Sequence, residues 1–542
     1  MKDLFHKTFR GDLSTMSNQR RWLITAGVMT GMFIAALEAT VVGTAMPTVI
    51  ATLGGLNHYS WVFSAYLVTS TVTVPVWGKL SDLYGRRLLY QIGIGVFLLG
   101  TLLSGLSTTM TQLIVFRAIQ GLGAGALVPL GMTIIGDTFS VEERAKMQAY
   151  FSGVWGFSSI IGPVIGGFIT DQINWRWVFF INLPIGVVAA LIIGIALKEP
   201  KLDRRPKIDY AGAMLLMIAI SILMLAMVEG GSAGLFNTQN LLLLAVSAVL
   251  LGLFVYVELR ASDPIIPFDL FRNKTVTIAV LAGFLGGIAM FGAISFIPLF
   301  AQGSLGFSAT EAGSLLTPLM LTWVTASVIG GRLMLRIGYK SVTIVGYIAL
   351  TLGFTMLAMF DRDTSRLWLY ADLMVIGAGL GLSMLTLLIA VQQAVERSKL
   401  GIATSLNQFA RSIGGAIGVA ILGAVLTAAL ASELKTAAAA TGAMTEGQAA
   451  DFAANPNALI EPSAKSALAP ETLETLQSAL GRAIHPVFWA GALAAALGLI
   501  VVLFLPREER VEEVPVDGER MIMAEQTTIN ARNQPDAHTT YS

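Results

Sequence analysis

Two ionisable side chains stand deep inside long apolar runs of this sequence, Glu38 in the first run and Arg117 in the fourth. Glu38 is 15 residues past Leu23, which on a helix puts it about 22 Å from the point where the chain enters the run. Arg117 is six residues into its own run from the opposite side, about 9 Å down. Across a hydrocarbon slab of about 30 Å the two depths coincide. An unpaired charge there costs several kcal/mol, so each group must face the protein interior and find a partner. The spacing predicts that Glu38 and Arg117 approach one another, directly or through Gln120 or water. The protonation of a carboxyl held between an apolar cavity and a guanidinium could be switched by opening that cavity to one side or the other. The pair would serve proton exchange, or a purely structural tie within the N-terminal half.

Other chemistries are poorly supplied. There is no cysteine, so no disulfide, thiolate metal site or thiol nucleophile can form. The four histidines, His6, His58, His485 and His538, are scattered and suggest neither a metal centre nor a catalytic base. No catalytic constellation, metal site or cofactor is expected, and the chain does not read as an enzyme. The net charge of +1 is parcelled into short loops rather than pooled in a patch, which argues against a nucleic-acid partner.

The elements that must position Glu38 and Arg117 are membrane helices. Hydrophobic residues make up 55% of the chain, charged residues only 13%, and mean hydropathy is +0.71. Fourteen runs of about 20 apolar residues follow one another near 23–46, 60–78, 88–106, 111–135, 147–170, 178–197, 209–228, 240–259, 275–300, 311–335, 341–360, 367–391, 403–430 and 486–506. The first is too long for a signal peptide and has no cleavage site behind it, so it reads as a retained span. Loops on the N-terminal side hold most of the Lys and Arg, including Lys79, Arg86, Arg87, Arg144, Lys340 and Lys399, whereas the opposite short loops hold Arg176, Arg362 and Arg366. Both termini are therefore expected on the cytoplasmic side of the cell (inner) membrane. Trp22, Trp61, Trp175, Trp177, Trp368 and Trp489 fall at span ends, where an interfacial aromatic belt is expected.

A charged, glycine-bracketed turn, Gly78-Lys-Leu-Ser-Asp82-Leu-Tyr-Gly85-Arg86-Arg87, returns 253 residues later as Gly331-Arg-Leu-Met-Leu335-Arg-Ile-Gly338-Tyr-Lys340. Gly162 and Gly166 likewise return as Gly414 and Gly418, at an offset of 252. Six-helix halves in direct tandem would repeat at about 200 residues, so the surplus accommodates two extra helices. The expected fold is all-α and polytopic, with 14 transmembrane helices as 6 + 2 + 6 and two pseudo-symmetric six-helix bundles. Its parts are a cytoplasmic N-terminus (1–21), an N-terminal bundle (22–197), two linker helices with a cytoplasmic loop (198–260), a C-terminal bundle (261–506) with an outer insertion (431–485), and a polar cytoplasmic tail (507–542).

Within this frame the signature turn does more than mark the repeat. Gly78 and Gly85 allow close approach and a tight reversal, and Asp82 can accept hydrogen bonds from the amides that open a helix. The second copy has Leu335 where Asp82 would be. Gly156, Gly162, Gly166 and Gly167 give the fifth span a close-packing face, and Pro163 removes one of its backbone hydrogen bonds. Trp155 in that span, and Trp323 about 18 Å into the tenth, lie away from the belts and need partners for their indole N–H groups. Arg411 stands beside Asn407 and Gln408 in span 13, where it could contact a bound molecule, snorkel to the inner surface or answer Asp82.

The signature turn is very close to the loop between helices 2 and 3 of the major facilitator superfamily. Leu37-Glu38-Ala-Thr-Val-Val-Gly-Thr-Ala-Met-Pro47, Arg117-Ala-Ile-Gln120-Gly121, the run Gly156 to Gly167 and Asn174-Trp-Arg-Trp-Val-Phe-Phe-Ile-Asn182-Leu-Pro184 resemble motifs of its 14-helix drug:proton antiporter branch, and the resemblance covers residues 22–506. It implies Glu38 and Arg117 as proton-coupling residues. It also implies a cytoplasmic latch in which Asp82 docks on the start of helix 13 while Arg86 pairs with Asp137. Tyr66, Gln120, Trp155, Met290, Phe291, Phe296, Trp323, Asn407, Gln408 and Arg411 become walls of a substrate cavity. The implied function is efflux of lipophilic or cationic compounds in exchange for protons, by a protein that is monomeric in the lipid bilayer and driven by the proton gradient alone. Export of dications is not expected, because span 10 has no acid at its centre and Glu311 lies only at its mouth. A lipid or glycolipid exporter, suggested by the long insertion, and a non-transporting membrane sensor are the alternatives.

Overall fold

Hydrocarbon offers the backbone no hydrogen-bond partner, so a chain that crosses it repeatedly must satisfy its amides within helices. The computed structural model describes residues 16–53, 59–198, 209–233, 237–307, 309–361, 364–441, 447–448 and 469–507, and no strand occurs among them. The N-terminal bundle comprises α1 (Asn18–Leu53), α2 (Tyr59–Tyr84), α3 (Arg86–Leu106), α4 (Met110–Thr138), α5 (Val141–Gln172) and α6 (Asn182–Ala196), the last preceded by the single turn Trp177–Phe180. The linker helices are α7 (Tyr210–Ala233) and α8 (Thr238–Glu258). The C-terminal bundle comprises α9 (Lys274–Gly303), α10 and α11 (309–337 and 339–357 of the helix Ala309–Leu357), α12 (Arg366–Gln393), α13 (Leu400–Thr441) and α14 (Pro470–Leu503). These are the fourteen helices of the expected 6 + 2 + 6 arrangement, and the protein is a multi-pass membrane protein.

The repeat is visible in the backbone. Gly85 turns the chain from α2 into α3 at φ 95° and ψ 150°, and Gly338, its counterpart 253 residues on, turns α10 into α11 at φ 80° and ψ 158°. Only these two glycines and Gly306 have positive φ among the described residues. A side chain at either turn meets the steric penalty that keeps L-residues out of this region.

The N-terminal core packs Ile24, Val28 and Met32 of α1 against Tyr90 and Phe97 of α3 and Leu127 of α4. The C-terminal core gathers Phe300, Tyr347, Phe354, Leu380 and Phe488. The bundles meet where α2 and α4 pack on α13, and where α5 packs on the α10–α11 helix. The linker helix α7 lies over one seam, against both α2 and α13, in an apolar cluster that includes Val72, Leu216, Ile220 and Phe409, with α8 packed behind it.

Two expectations fall largely or wholly outside the described residues, the N-terminal segment through residue 15 and the tail beyond Arg507. Most of the insertion does too, but its flanks extend α13 to Thr441 and start α14 at Pro470, and Glu433 pairs with Arg482 across them at 2.6 Å. One belt residue is misplaced by the sequence reading. Trp22, Trp177, Trp368 and Trp489 are exposed and Trp61 is half-buried, whereas Trp175 is 2% exposed, packed edge-on to Phe179 and capped by the Arg176 guanidinium. The turn before α6 folds it inward.

Gly85→Ala and Gly338→Ala should each cost about 1–2 kcal/mol of stability. Thermal melts in detergent check this, with Gly95→Ala as the control, since a side chain at Gly95 meets open space. Melts lowered equally by all three substitutions would show that backbone conformation is not the cause.

Candidate functional site

Glu38 is fully buried and Arg117 is 2% exposed, and the structure joins them in an ion pair between Arg117 Nη1 and Glu38 Oε1. The same Nη1 donates to Gln120 Oε1 at 2.6 Å, and Arg117 Nε donates to the Val62 carbonyl of α2 at 3.2 Å. The guanidinium carbon lies 4.3 Å from the centre of the Tyr66 ring, a cation–π contact. Gln120 Nε2 donates onward to Thr101 Oγ1 of α3 at 2.8 Å. The second carboxylate oxygen of Glu38 accepts from Asn182 Nδ2 at 2.7 Å, while Asn182 Oδ1 is buried with no partner. One network thus ties α1, α2, α3, α4 and the start of α6. Glu38 and Gln120 fit because neighbouring helices come close: Gly162 of α5 abuts the Thr40 side chain of α1, and Gly100 of α3 abuts the Gln120 backbone. Asn182 and Thr101 are partners that sequence reasoning missed. Asn182 had a signal, as the polar residue opening the sixth span within the tryptophan-rich motif; Thr101 had none.

At the face of the bundle that carries the start of α1, polar contacts join the two halves. Asp82 at the end of α2 accepts from the amides of Gly401 (3.0 Å) and Ile402 (2.8 Å), the first turn of α13. A carboxylate there meets both free N–H groups and the positive end of the helix dipole. Arg86 secures it, at 2.5 Å from Asp82 and 3.1 Å from Asp137 of α4, and also donates to Ser81 Oγ at 3.1 Å. Gly78 and Gly401 let α2 and α13 touch: a side chain at Gly401 would collide with Asp82, Ser81 and the Gly78 carbonyl. Lys79 reaches Asp263 in the loop after α8 at 2.8 Å, and the amide of Ile266 in that loop donates to Glu258 at 2.5 Å. Arg144 of α5 donates to Gln392 of α12 at 3.4 Å, and Gln392 to Thr404 of α13 at 3.3 Å. At the same face Arg21 pairs with Glu143. Partial burial works to raise the Glu143 carboxyl, but Arg21 and the Ser140 amide outweigh it and hold it below the usual carboxylate range. In the second copy of the turn, Leu335 is 47% exposed.

The other candidate positions are dispersed. Tyr66 and Gln120 belong to the Glu38 network. Asn407 is buried and donates to the Ala279 carbonyl at 3.3 Å, and Arg411 donates to Gln408 one turn away. Met290 and Phe296 are buried within the C-terminal core, with Phe291 and Trp323 half-buried against it, so in this conformation they act as packing residues. Trp155 is exposed. Of the close-packing face expected of the fifth span, Gly162 meets α1 and Gly166 is buried, whereas Gly156 and Gly167 face open space, and the Pro163 side chain lies outside the described residues. Among the described residues no cluster of His, Asp and Glu could hold a metal ion.

The family model of the Major Facilitator Superfamily matches residues 28–419. The chain belongs to this superfamily of membrane transporters. Its relatives include Multidrug transporter protein MdtP of Bacillus subtilis, 39% identical over 90% of this chain and 93% of that protein, and Multidrug resistance protein 3 of the same organism, 36% identical over 91% and 97%. Solved structures of similar fold include the human organic anion transporter MFSD10 (TM-score 0.59, 15% identity, covering 90% of this chain and 100% of that one). The proton:xylose symporter XylE is another, with TM-score 0.56 and 12% identity over 91% and 97% of the two chains.

Truncating one member of a buried ion pair strands the other, so Arg117→Ala should destabilise this superfamily member by about 3–5 kcal/mol. Adding Glu38→Gln should recover part of that loss, as read from detergent melts; a double variant no better than Arg117→Ala would show that stranded charge is not the cause. Asp82→Asn sets an amide donor against a backbone N–H and weakens the hold of Arg86. A loss of about 2 kcal/mol shifts the ratio of open to closed forms at this face about thirtyfold. Probes attached on either side of the α2–α13 contact report the distance; an unchanged distribution would leave Asp82 no latch role.

Proposed function

We propose that this protein is a secondary active exporter that moves lipophilic or cationic small molecules out of the cell in exchange for protons, by alternating access. The observation that carries the reading is the buried Glu38, whose two oxygens are held by Arg117 and Asn182 from two other helices. No simple movement in hydrocarbon can part this pair cheaply, but neutralising Glu38 can, because a protonated carboxyl no longer holds the guanidinium. Arg117 then keeps Gln120, Tyr66 and the Val62 carbonyl, while the tie between α1 and α4 is weakened. Proton uptake at one residue is thereby converted into helix movement.

The Lys and Arg carried by the latched face support assigning it to the cytoplasmic side of the cell membrane. With that face shut, a proton arriving from outside reaches Glu38 and releases the N-terminal network. The latch between Asp82 and α13 then opens, a substrate enters from the cytoplasm, and departure of the proton restores the ion pair and closes the face behind the substrate. The names of the two Bacillus relatives support small-molecule export of the multidrug kind. The protein acts as a monomer and uses no cofactor beyond the proton gradient.

In proteoliposomes with an imposed pH gradient, the wild type should expel a cationic dye such as ethidium, and Glu38→Gln should abolish gradient-driven efflux while retaining dye binding. Full gradient-driven efflux by Glu38→Gln would remove Glu38 from the coupling role.

A further inference from the structure

We propose that the C-terminal bundle holds a second proton-binding carboxyl, Asp372, which exchanges its proton during the transport cycle. Asp372 lies on α12 six residues past Arg366, about 9 Å along the helix from that end. It is fully buried, and neither carboxyl oxygen has a hydrogen-bond partner in the structure. The contrast with Glu38, whose two oxygens are both engaged, is complete.

The surroundings explain why it is alone. Leu369, Leu373 and Ile376 of α12 are buried around it, and α11 turns Gly353 towards it, leaving Asp372 Oδ1 3.5 Å from where a side chain would begin. Several described charged and titratable groups of neighbouring elements are committed elsewhere. Arg366, on the same helix, pairs with Glu311 of α10 at 3.3 Å and lies over the Phe307 ring. Tyr347 of α11 donates to the Ala282 carbonyl of α9, and Arg411 of α13 donates to Gln408. Glu433 at the far end of α13 pairs with Arg482, and Lys435 is exposed. α14, which carries His485, meets α11 through Gly491 on Phe354 rather than through Gly353.

A carboxylate with no cation and no donor in a membrane-embedded core is far costlier than a neutral acid, so in the latched state Asp372 carries its proton. A neutral acid with an orphaned hydroxyl is itself a poor core residue, which is accounted for if the ionised form is used at another stage. When the bundle rearranges and water reaches the α11–α12 contact, the O–H bond breaks heterolytically, the proton passes to water and a carboxylate remains; the reverse step reloads it. The sequence repeat supports the depth. Gly123-Ala-Gly125 of α4 recurs as Gly377-Ala-Gly379 of α12, an offset of 254 that puts the counterpart of Arg117 at position 371, beside Asp372. Each bundle therefore sets one ionisable site at the same level.

This inference rests on the antiport reading for its role in transport but not for its chemistry, and two measurements keep them apart. Dicyclohexylcarbodiimide attacks protonated carboxyls in apolar surroundings. With the full chain in detergent, mass spectrometry should find Asp372 modified at neutral pH and progressively less modified as pH rises. In proteoliposomes exporting ethidium, the number of protons entering per dye should fall by half in Asp372→Asn and return in Asp372→Glu. An Asp372 that is never modified, or is modified equally at every pH, overturns the proposal, as does an unchanged proton-to-dye ratio in Asp372→Asn. If the wild type moves dye without any proton flux while modification of Asp372 still tracks pH, the antiport reading fails and the proton-binding site stands.

Discussion

Hydrocarbon cannot solvate a charge, and that constraint organises this structure. Glu38 and Arg117 are tolerable at their depth only because each cancels the other and because Gln120, Asn182, Tyr66 and a backbone carbonyl occupy the remaining directions. The glycines of α3 and α5 that let helices close on this network and the apolar cores that fill the rest of each bundle are consequences of that requirement. The pair is a weak guide to stability, since a buried ion pair seldom outperforms a well-packed apolar substitute. On the proposed function its value lies in being a linkage that a change of charge can release.

The latched face obeys the same rule with a lighter hand. Asp82 on the amides of Gly401 and Ile402 is worth on the order of 1.5–3 kcal/mol per charged hydrogen bond, which on the proposed cycle is strong enough to bias a conformation and weak enough to break. The linker helices are placed to feel it. α7 packs on both helices joined by the latch, and the loop after α8 reaches Lys79 in the signature turn through Asp263. The two bundles share a backbone plan but not its chemistry. Gly85 and Gly338 adopt the same positive-φ turn, yet only the first turn carries an acid, and Leu335 is left exposed at the corresponding position.

What the sequence made legible follows from which signals are long and which are single. Fourteen apolar runs could be counted because a span needs about 20 residues and tolerates few interruptions. The meeting of Glu38 and Arg117 could be argued because two opposite charges at one depth have few other solutions. Asn182 and Thr101 complete that network through single hydrogen bonds that no spacing rule anticipates. Trp175 looked interfacial by position, but the short turn Trp177–Phe180 tucks it inward, a local choice invisible to hydropathy. The glycines of α5 were read as one packing face, whereas Gly162 meets α1 and Gly156 and Gly167 meet nothing, because only part of that helix lies against a neighbour. Met290 and Phe296, which the family resemblance implied as cavity walls, lie buried in the C-terminal core, a common place for such side chains. Asp372 went unremarked although it lies as deep in its span as Arg117, and only its burial without a partner sets it apart.

The difference between the two buried carboxyls bears on the order of events in the proposed exchange. With the cytoplasmic face latched, the deep groups of the N-terminal bundle sum to zero as a carboxylate and a guanidinium, and Asp372 adds nothing while it holds its proton. Protonating Glu38 leaves one positive charge on Arg117 within the bundle. That is an unwelcoming environment for a cationic substrate until the proton departs or a second carboxyl ionises. Ionisation of Asp372 would supply a balancing negative charge in the opposite half, which lowers the cost of admitting a cation. Uncharged lipophilic compounds would need no such compensation. On this view the breadth of substrates that one site can accept is set less by the shape of its walls than by how many of its acids can change protonation state in step with the latch.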